Sequence, residues 1–248
     1  MSDKTVYIWS AFSNKQGLAL GGPEDGKHIS LGLFNLGMPL KQAYEKFLTF
    51  KGVHNALNGH HNDPNFIPVA RRTVEWFEKP YPLPFVSTFK KEALEKMDVL
   101  FLDYAIPFVN EKVLSILSRL CPNEYEAFPI ELYTPTGTSY LYFILNITHK
   151  IEDALDKPNC DYSIAYMKKE GDESCVGRFK RILFKEGCMK NLMLGRLYED
   201  MFRVMVHKTI IDEFIKEKIH GFNVQIFENK LNGFFKSNYL PDGKTLKV

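Results

Sequence analysis

The residues with the clearest potential for metal chemistry are His60, His61 and Asp63, which lie within four positions of a polar segment. Imidazole nitrogens and carboxylate oxygens are common ligands of transition metals. Neighbouring side chains rarely reach one metal ion, however, and the chain has no His-Glu-x-x-His or His-x-His spacing. The turn signal Asn58-Gly59 precedes these residues and predicts an exposed turn. We therefore expect no metal site.

Nucleophilic and acid–base chemistry have no recognisable arrangement in the sequence. The nucleophile elbow Gly-x-Ser-x-Gly is absent, and no histidine pattern accompanies Cys175. Adjacent carboxylates occur at three places: Glu152-Asp153, Glu199-Asp200 and Asp212-Glu213. Such neighbours point apart on a strand and diverge by about 100° on a helix. The ordered glycine spacings that bind phosphates are also absent. We therefore expect neither an enzyme nor a cofactor, and a binding function is favoured.

Hydrophobic periodicity and turn signals predict the elements that must position any functional side chain. Strands are predicted over 5–9, 99–102, 128–133, 139–147, 162–167, 178–184, 191–197, 202–206 and 222–227. Helices are predicted over 40–50 and 90–97, from the cap residue Asn110 to Cys121, and from Thr209 to Gly221. Residues 52–88 are rich in turns, prolines and aromatics, which predicts a wrapped connection with an extended segment at its prolines. Hairpins with helices at intervals indicate an α+β fold, with antiparallel hairpin-rich sheets and a few packed helices.

The composition indicates a soluble globular protein. The chain has 248 residues, of which 45% are hydrophobic and 25% charged, and its net charge is +2. This balance is not typical of nucleic-acid-binding proteins. No apolar run approaches the roughly 18 residues of a membrane-spanning helix, and no signal-peptide pattern follows Met1. The four cysteines lack metal-binding spacing, so we expect reduced thiols and a cytoplasmic location.

Several short segments follow one another in a recognisable order in the second half of the chain. They are Asp98-Val-Leu-Phe-Leu, a helix, Glu126-Ala-Phe-Pro-Ile-Glu-Leu, Tyr140 to Asn146, Asp153 to Asp156, Phe202 to Val206, a second helix, and Gly221 to Val224. This order resembles a large family of bacterial immunity proteins that accompany polymorphic toxins and type VI secretion effectors. The resemblance covers residues 98–228. Ala154 departs from the pattern, since a cysteine often occupies that place in the family.

The resemblance implies a cytosolic protein that binds one cognate toxin or effector domain and neutralises it by stoichiometric occlusion, without catalysis. It implies an α+β domain over residues 98–248, preceded by a variable N-terminal region over residues 1–97. Whether the two regions pack as one globular unit stays open. The implied partner is a toxin protein and not a nucleic acid or a membrane, and the chain is either a monomer or a homodimer.

Two sets of residues are candidates for contact with such a partner. Trp, Tyr and Arg side chains carry much of the energy of tight interfaces, which singles out Arg72, Trp76 and Tyr81. Residues 101–167 carry 9 acidic and 4 basic side chains, and an acidic surface speeds association with a basic toxin such as a nuclease. The candidates in this acidic set are Asp103, Glu124, Glu126 and Glu131.

A small cytosolic hydrolase or transferase is the alternative function. Its catalytic residues would come together from distant loops, for instance around His60, His61 and Asp63. They would face a concave pocket and have perturbed pKa values. Bound zinc or manganese would favour this alternative, whereas a stable complex with a toxin and no turnover would favour the immunity protein.

Overall fold

Two six-stranded sheets organise the chain. The computed structural model describes residues 5–10, 20–21, 31–49, 66–87, 89–102, 106–164, 176–228 and 235–239. The strands are β1 (Thr5–Ser10), β2 (Leu20–Gly21), β3 (Leu83–Ser87), β4 (Val99–Leu102), β5 (Ile106–Val109), β6 (Tyr125–Tyr133), β7 (Ser139–Ile147), β8 (Lys150–Ile151), β9 (Asp161–Ile164), β10 (Val176–Arg181), β11 (Leu194–Leu197), β12 (Asp200–Val206), β13 (Asn223–Glu228) and β14 (Phe235–Tyr239). The α-helices are α1 (Leu40–Thr49), α2 (Phe66–Phe77), α3 (Lys91–Leu94), α4 (Glu111–Leu120) and α5 (Lys208–Lys216). None of these helices combines the length and the apolarity needed to cross a membrane.

The strand order confirms the predicted α+β fold. The first sheet has the order β14-β13-β1-β12-β11-β8, and the second has the order β2-β3-β6-β7-β5-β4. Neighbours run antiparallel except for the parallel pairs β8–β11 and β3–β6. A separate pair, β9 and β10, forms a small antiparallel sheet. The strands predicted over 128–133 and 139–147 are confirmed as the hairpin of β6 and β7, in register from Tyr125 opposite Ile147 to Tyr133 opposite Ser139.

The described residues form three hydrophobic cores, which lie between the sheets or on their outer faces. The first core lies between the second sheet and the helices α1 and α2, where Phe34 packs edge-on against Phe77. The second core lies between the two sheets and includes α4, α5 and the fully buried Trp9. The third core covers the outer face of the first sheet, where Phe184 packs against Phe227. Both faces of each sheet are thus packed over at least part of their area.

Strand β1 lies inside the first sheet, between β12 and β13. Ile8 is paired with Met205 on one side and with Gln225 on the other. The segment before residue 98 also supplies α1, α2 and β3 to the layers of the second sheet. Elements from both sides of position 97 therefore contribute to both sheets.

The wrapped connection predicted over residues 52–88 contains a helix that the prediction lacked. Helix α2 has Pro68 in its first turn, where the missing N–H removes no helical hydrogen bond. Its Val74 and Phe77 side chains are buried. Downstream of α2, the predicted extended segment is confirmed from residue 83 onward, where β3 begins and includes Pro84.

The N-terminal caps of α4 and α5 differ in how well they were predicted. Asn110 caps α4 as predicted, and its side chain accepts a hydrogen bond from the N–H of Val113 at 3.2 Å. His207, and not Thr209, caps α5, so the helix begins one residue before the predicted threonine. The Nδ1 atom of His207 accepts from the N–H of Thr209 at 3.2 Å. An imidazole nitrogen thus takes the role that was predicted for the threonine hydroxyl.

Helix α5 ends at Lys216, with Glu217 as its C-cap, and Lys218 and not Gly221 is the left-handed residue that follows the cap. Lys218 has a φ of +53°, and the N–H of Ile219 donates to the carbonyl of Phe214 at 2.9 Å. This pattern is a Schellman motif with a lysine in its left-handed position. Gly221, which has a φ of +83°, serves another purpose. A Cβ at this position would lie 2.2 Å from the carbonyl oxygen of Val99. The glycine therefore permits close contact between the α5–β13 connection and β4.

Candidate partner-binding surface

Trp76, Lys79 and Tyr81 form a group at the end of α2, which we call the aromatic–lysine cluster. The Nζ atom of Lys79 lies 5.3 Å from the ring centroid of Trp76 and 5.6 Å from that of Tyr81. Tyr81 is 54% exposed, whereas Trp76 is half-buried against the first core. The structure thus places two of the predicted residues, Trp76 and Tyr81, around Lys79, which no sequence motif had indicated. The sequence signal that could have identified Lys79 is its position three residues after Trp76 and two residues before Tyr81.

The cluster is anchored by the core beneath it. Phe77, which follows Trp76 in the sequence, is buried in the core. The N–H of Lys79 donates to the carbonyl of Trp76 at 3.2 Å. Pro80 and Pro82 restrict the backbone around the exposed ring. A cation–π contact at an exposed site contributes about 0.5–1 kcal/mol. Together these restraints order the two rings, and side chains that are already ordered lose less entropy on binding.

Arg72 extends this surface along α2. It lies one helical turn before Trp76, and residues four apart are neighbours on a helix surface. Its side chain is half-buried, and its Nε atom has no hydrogen-bond partner among the described residues. The three candidates that were predicted from residue type therefore follow one side of α2 into the bend after it.

The carboxylate of Glu126, a member of the predicted acidic set, binds the protein's own backbone. Its Oε2 atom accepts from the N–H of Leu40 and from the Nδ2 of Asn146, each at 2.8 Å. Asn146 is fully buried and also donates to the carbonyl of Met38 at 2.9 Å. Because Leu40 is the first residue of α1, this carboxylate stabilises the positive end of the helix.

Glu124 has a similar internal role. Its Oε2 atom accepts from the backbone N–H groups of Met193 and Leu194, at 2.8 and 2.5 Å. These bonds join the start of the β6–β7 hairpin to β11 of the other sheet. The charges of Glu124 and Glu126 are thus used inside the molecule, which leaves less of the predicted acidic surface for a partner.

Glu131 differs from these two carboxylates. It is half-buried on β6, five residues beyond Glu126, and therefore points to the opposite face of the sheet. Its Oε2 atom accepts from the hydroxyl of Tyr133 at 2.6 Å. The other predicted residues lie outside the described part of the chain: Asp103, His60, His61, Asp63 and Cys175.

Arg196, Glu199 and Cys121 are buried side chains that could titrate. Burial lowers the pKa of the Arg196 guanidinium to about 9, which leaves it a cation at neutral pH. Glu199 is also buried, and its Oε1 atom lies 3.3 Å from the Nζ atom of Lys157. Burial and, secondarily, the charge of Glu124 raise the pKa of the Cys121 thiol to about 12. A protonated, buried thiol is a poor nucleophile, so this cysteine acts as a small apolar side chain.

Neither a metal-binding group among the described residues nor a comparison with known proteins indicates another site. Over the residues that the structure describes, no group of three or more His, Cys, Asp or Glu side chains is placed to hold a metal ion. No model of a known protein family matches the sequence, and no curated protein matches it either. The aromatic–lysine cluster is thus the site on which a functional interpretation rests.

Proposed function

We propose that this protein is an immunity protein of a bacterial toxin system. It binds a cognate toxin or effector domain in the cytoplasm and neutralises it by covering its active site or its partner surface. The observation that carries the proposal is the aromatic–lysine cluster, with Tyr81 more than half exposed beside Trp76. The resemblance of residues 98–228 to immunity proteins of polymorphic toxin and type VI secretion systems supports it.

The chemistry of the cluster suits neutralisation by occlusion. Such inhibition requires a long-lived complex, and long-lived complexes concentrate their binding energy in a few Trp, Tyr and Arg side chains. Arg72, Trp76 and Tyr81 supply one of each type on a single restrained surface. Because inhibition of this kind is stoichiometric, it needs no catalytic group.

The first test of the proposal is growth rescue in a sensitive host. The toxin domain encoded beside this gene is expressed alone and together with this protein, and surviving colonies are counted. We expect the toxin to kill the host and this protein to restore growth, and we expect the two chains to purify as a stable stoichiometric complex. Toxicity that this protein does not relieve would contradict the proposed function.

The second test assigns the binding to the cluster. We expect Tyr81→Ala and Lys79→Ala each to weaken the complex by about 10- to 30-fold in calorimetry, as residues of an interface centre do. Both side chains project from the folded core, so we expect both variants to fold. Ile215→Ala is the matched control, because Ile215 is also exposed but lies on α5. Equal effects of Tyr81→Ala and Ile215→Ala would remove the cluster from the interface.

A further inference from the structure

The described residues cover one face of the second sheet only in part. Side chains alternate along its strands, so that Ile130 and Leu132 point into the first core whereas Glu131 and Tyr133 point away from it. On this second face, β4, β5 and the adjoining ends of β6 and β7 pack against α4, α5 and the first sheet. The part formed by β3 and the other ends of β6 and β7 lies beyond that core.

We call this second part the open face. It consists of seven side chains: Pro84, Val86, Pro129, Glu131, Tyr133, Ser139 and Leu141. Cross-strand neighbours place Glu131 between Pro84 on β3 and Leu141 on β7, and they place Tyr133 beside Val86. Leu141 is 39% exposed, Ser139 is also exposed, and the other five are half-buried. Val86, Tyr133 and Leu141 belong to none of the three hydrophobic cores formed by the described residues.

One charge lies in the middle of this apolar surface. Among the described residues, Glu131 is the only charged side chain of the open face, and the hydroxyl of Tyr133 donates to its carboxylate at 2.6 Å. A carboxylate among apolar side chains gains stability when a cation reaches it in a water-excluded setting. The open face is therefore complementary to a surface that presents one basic side chain within an apolar surround.

The open face is also close to the aromatic–lysine cluster. Only Pro82 and Leu83 separate Tyr81 from Pro84 along the chain. Three residues of extended chain span about 10 Å, which is well within the width of one interface. A partner that covers Tyr81 can therefore extend over the edge of β3 onto the open face.

We propose that the open face binds a segment of the toxin that places a lysine or arginine against Glu131, with apolar side chains around it. This inference rests on the proposed function and names the chemistry of the partner. Glu131 supplies charge selection, and Pro84, Val86 and Leu141 supply the apolar contact. The acidic component of recognition is thus a single oriented carboxylate and not a broad negative patch.

The experiment measures binding of the purified toxin domain to four forms of the full chain, at low and at high salt. Glu131→Gln keeps an acceptor for Tyr133 and removes the charge; we expect about 30-fold weaker binding and a smaller salt dependence. Leu141→Arg places a cation beside the one expected from the partner and should weaken binding by about 100-fold. Ile215→Arg is the control, because Ile215 is 38% exposed and Leu141 39%; its effect should stay within about twofold.

The outcomes separate this inference from the proposed function. Tight binding by the unchanged chain, together with losses for Glu131→Gln and Leu141→Arg alone, supports both. Tight binding that neither variant weakens overturns the open face as an interface and leaves the immunity function standing. A loss for Leu141→Arg with none for Glu131→Gln overturns the basic partner side chain. Absence of any complex with the unchanged chain overturns the proposed function and the inference together.

Discussion

Gly221 shows how the absence of one side chain fixes the contact between two parts of the molecule. Its φ of +83° is nearly the same as the +85° of Gly137 in the β6–β7 turn. Their surroundings differ, however. Among the residues that the structure describes, a Cβ at Gly137 would have no neighbour within 4 Å, whereas a Cβ at Gly221 would meet the carbonyl oxygen of Val99 at 2.2 Å. The two glycines therefore separate the effect of backbone conformation from the effect of close approach.

We predict that Gly221→Ala destabilises the protein far more than Gly137→Ala does. The left-handed conformation alone should cost Gly137→Ala about 1–2 kcal/mol. Gly221→Ala adds a collision with a backbone atom that cannot rotate away, and its loss should reach about 4 kcal/mol. Urea denaturation of both variants measures the difference. Equal losses would show that close approach to Val99 contributes nothing.

At the residue scale, sequence reasoning succeeded where the decisive partner is local. Asn110 was predicted as a cap because the donor to its side chain, the N–H of Val113, lies only three residues away. The role of Glu126 could not be predicted in this way, because its partner Leu40 lies 86 residues earlier. Charge counting assigned Glu126 to a surface, and only the fold brings it to the start of a helix.

At the element scale, α1 depends on a carboxylate from a neighbouring strand. We predict that Glu126→Gln lowers the free energy of unfolding by about 1–3 kcal/mol, because it removes a charged acceptor from the helix N-terminus. Glu131→Gln, on the same strand, is the control; it faces the other way and should change stability by less than about 0.5 kcal/mol. Thermal and urea unfolding test the pair, and comparable losses would contradict the assigned role of Glu126.

The hydrogen bonds of Glu124 and Glu126 determine which variants can test an acidic interface. Reversing the charge of Glu124 and Glu126 together would leave the N–H groups of Leu40, Met193 and Leu194 without their carboxylate acceptors. Such a variant would report unfolding and not slower association. Glu131 is the acidic candidate in the described residues whose charge can be removed with its hydrogen bond preserved.

Helix α2 is the element of the candidate surface that the sequence pattern failed to predict. Its Val69, Ala70, Thr73, Val74 and Phe77 follow a helical spacing, and α2 carries Arg72 and Trp76 of the candidate surface. The neighbouring prolines and turn residues concealed this spacing, although Pro68 is tolerated in a first helical turn. Most other helices and hairpins were predicted, because their signals lie within about ten residues.

At the scale of the whole molecule, strand order was beyond prediction. The sequence indicated hairpins, but β1 is paired with strands about 200 residues later, as Tyr7 opposite Val206 and Ile226 shows. No local signal specifies such a partner, since any strand of alternating pattern could occupy the position. For the same reason, a boundary placed near residue 97 follows from the extent of a resemblance and not from packing.

We predict that residues 98–248 expressed alone do not fold. This fragment lacks β1 of the first sheet, and it lacks α1, α2 and β3, which cover or extend the second sheet. Circular dichroism and amide NMR should show no cooperative transition and little dispersion. Co-expression with residues 1–97 should restore both, because the fragments supply complementary strands. A cooperative transition of the isolated fragment would instead establish an independent domain.

The central place of β1 also has a consequence for synthesis on the ribosome. Its partners β12 and β13 are translated about 200 residues after it, as the pairing of Tyr7 with Val206 requires. At about 5–20 residues per second, β1 waits roughly 10 to 40 s for them. The first sheet therefore closes late, and a nascent chain that stops before residue 200 presents an unpaired apolar strand to chaperones and proteases.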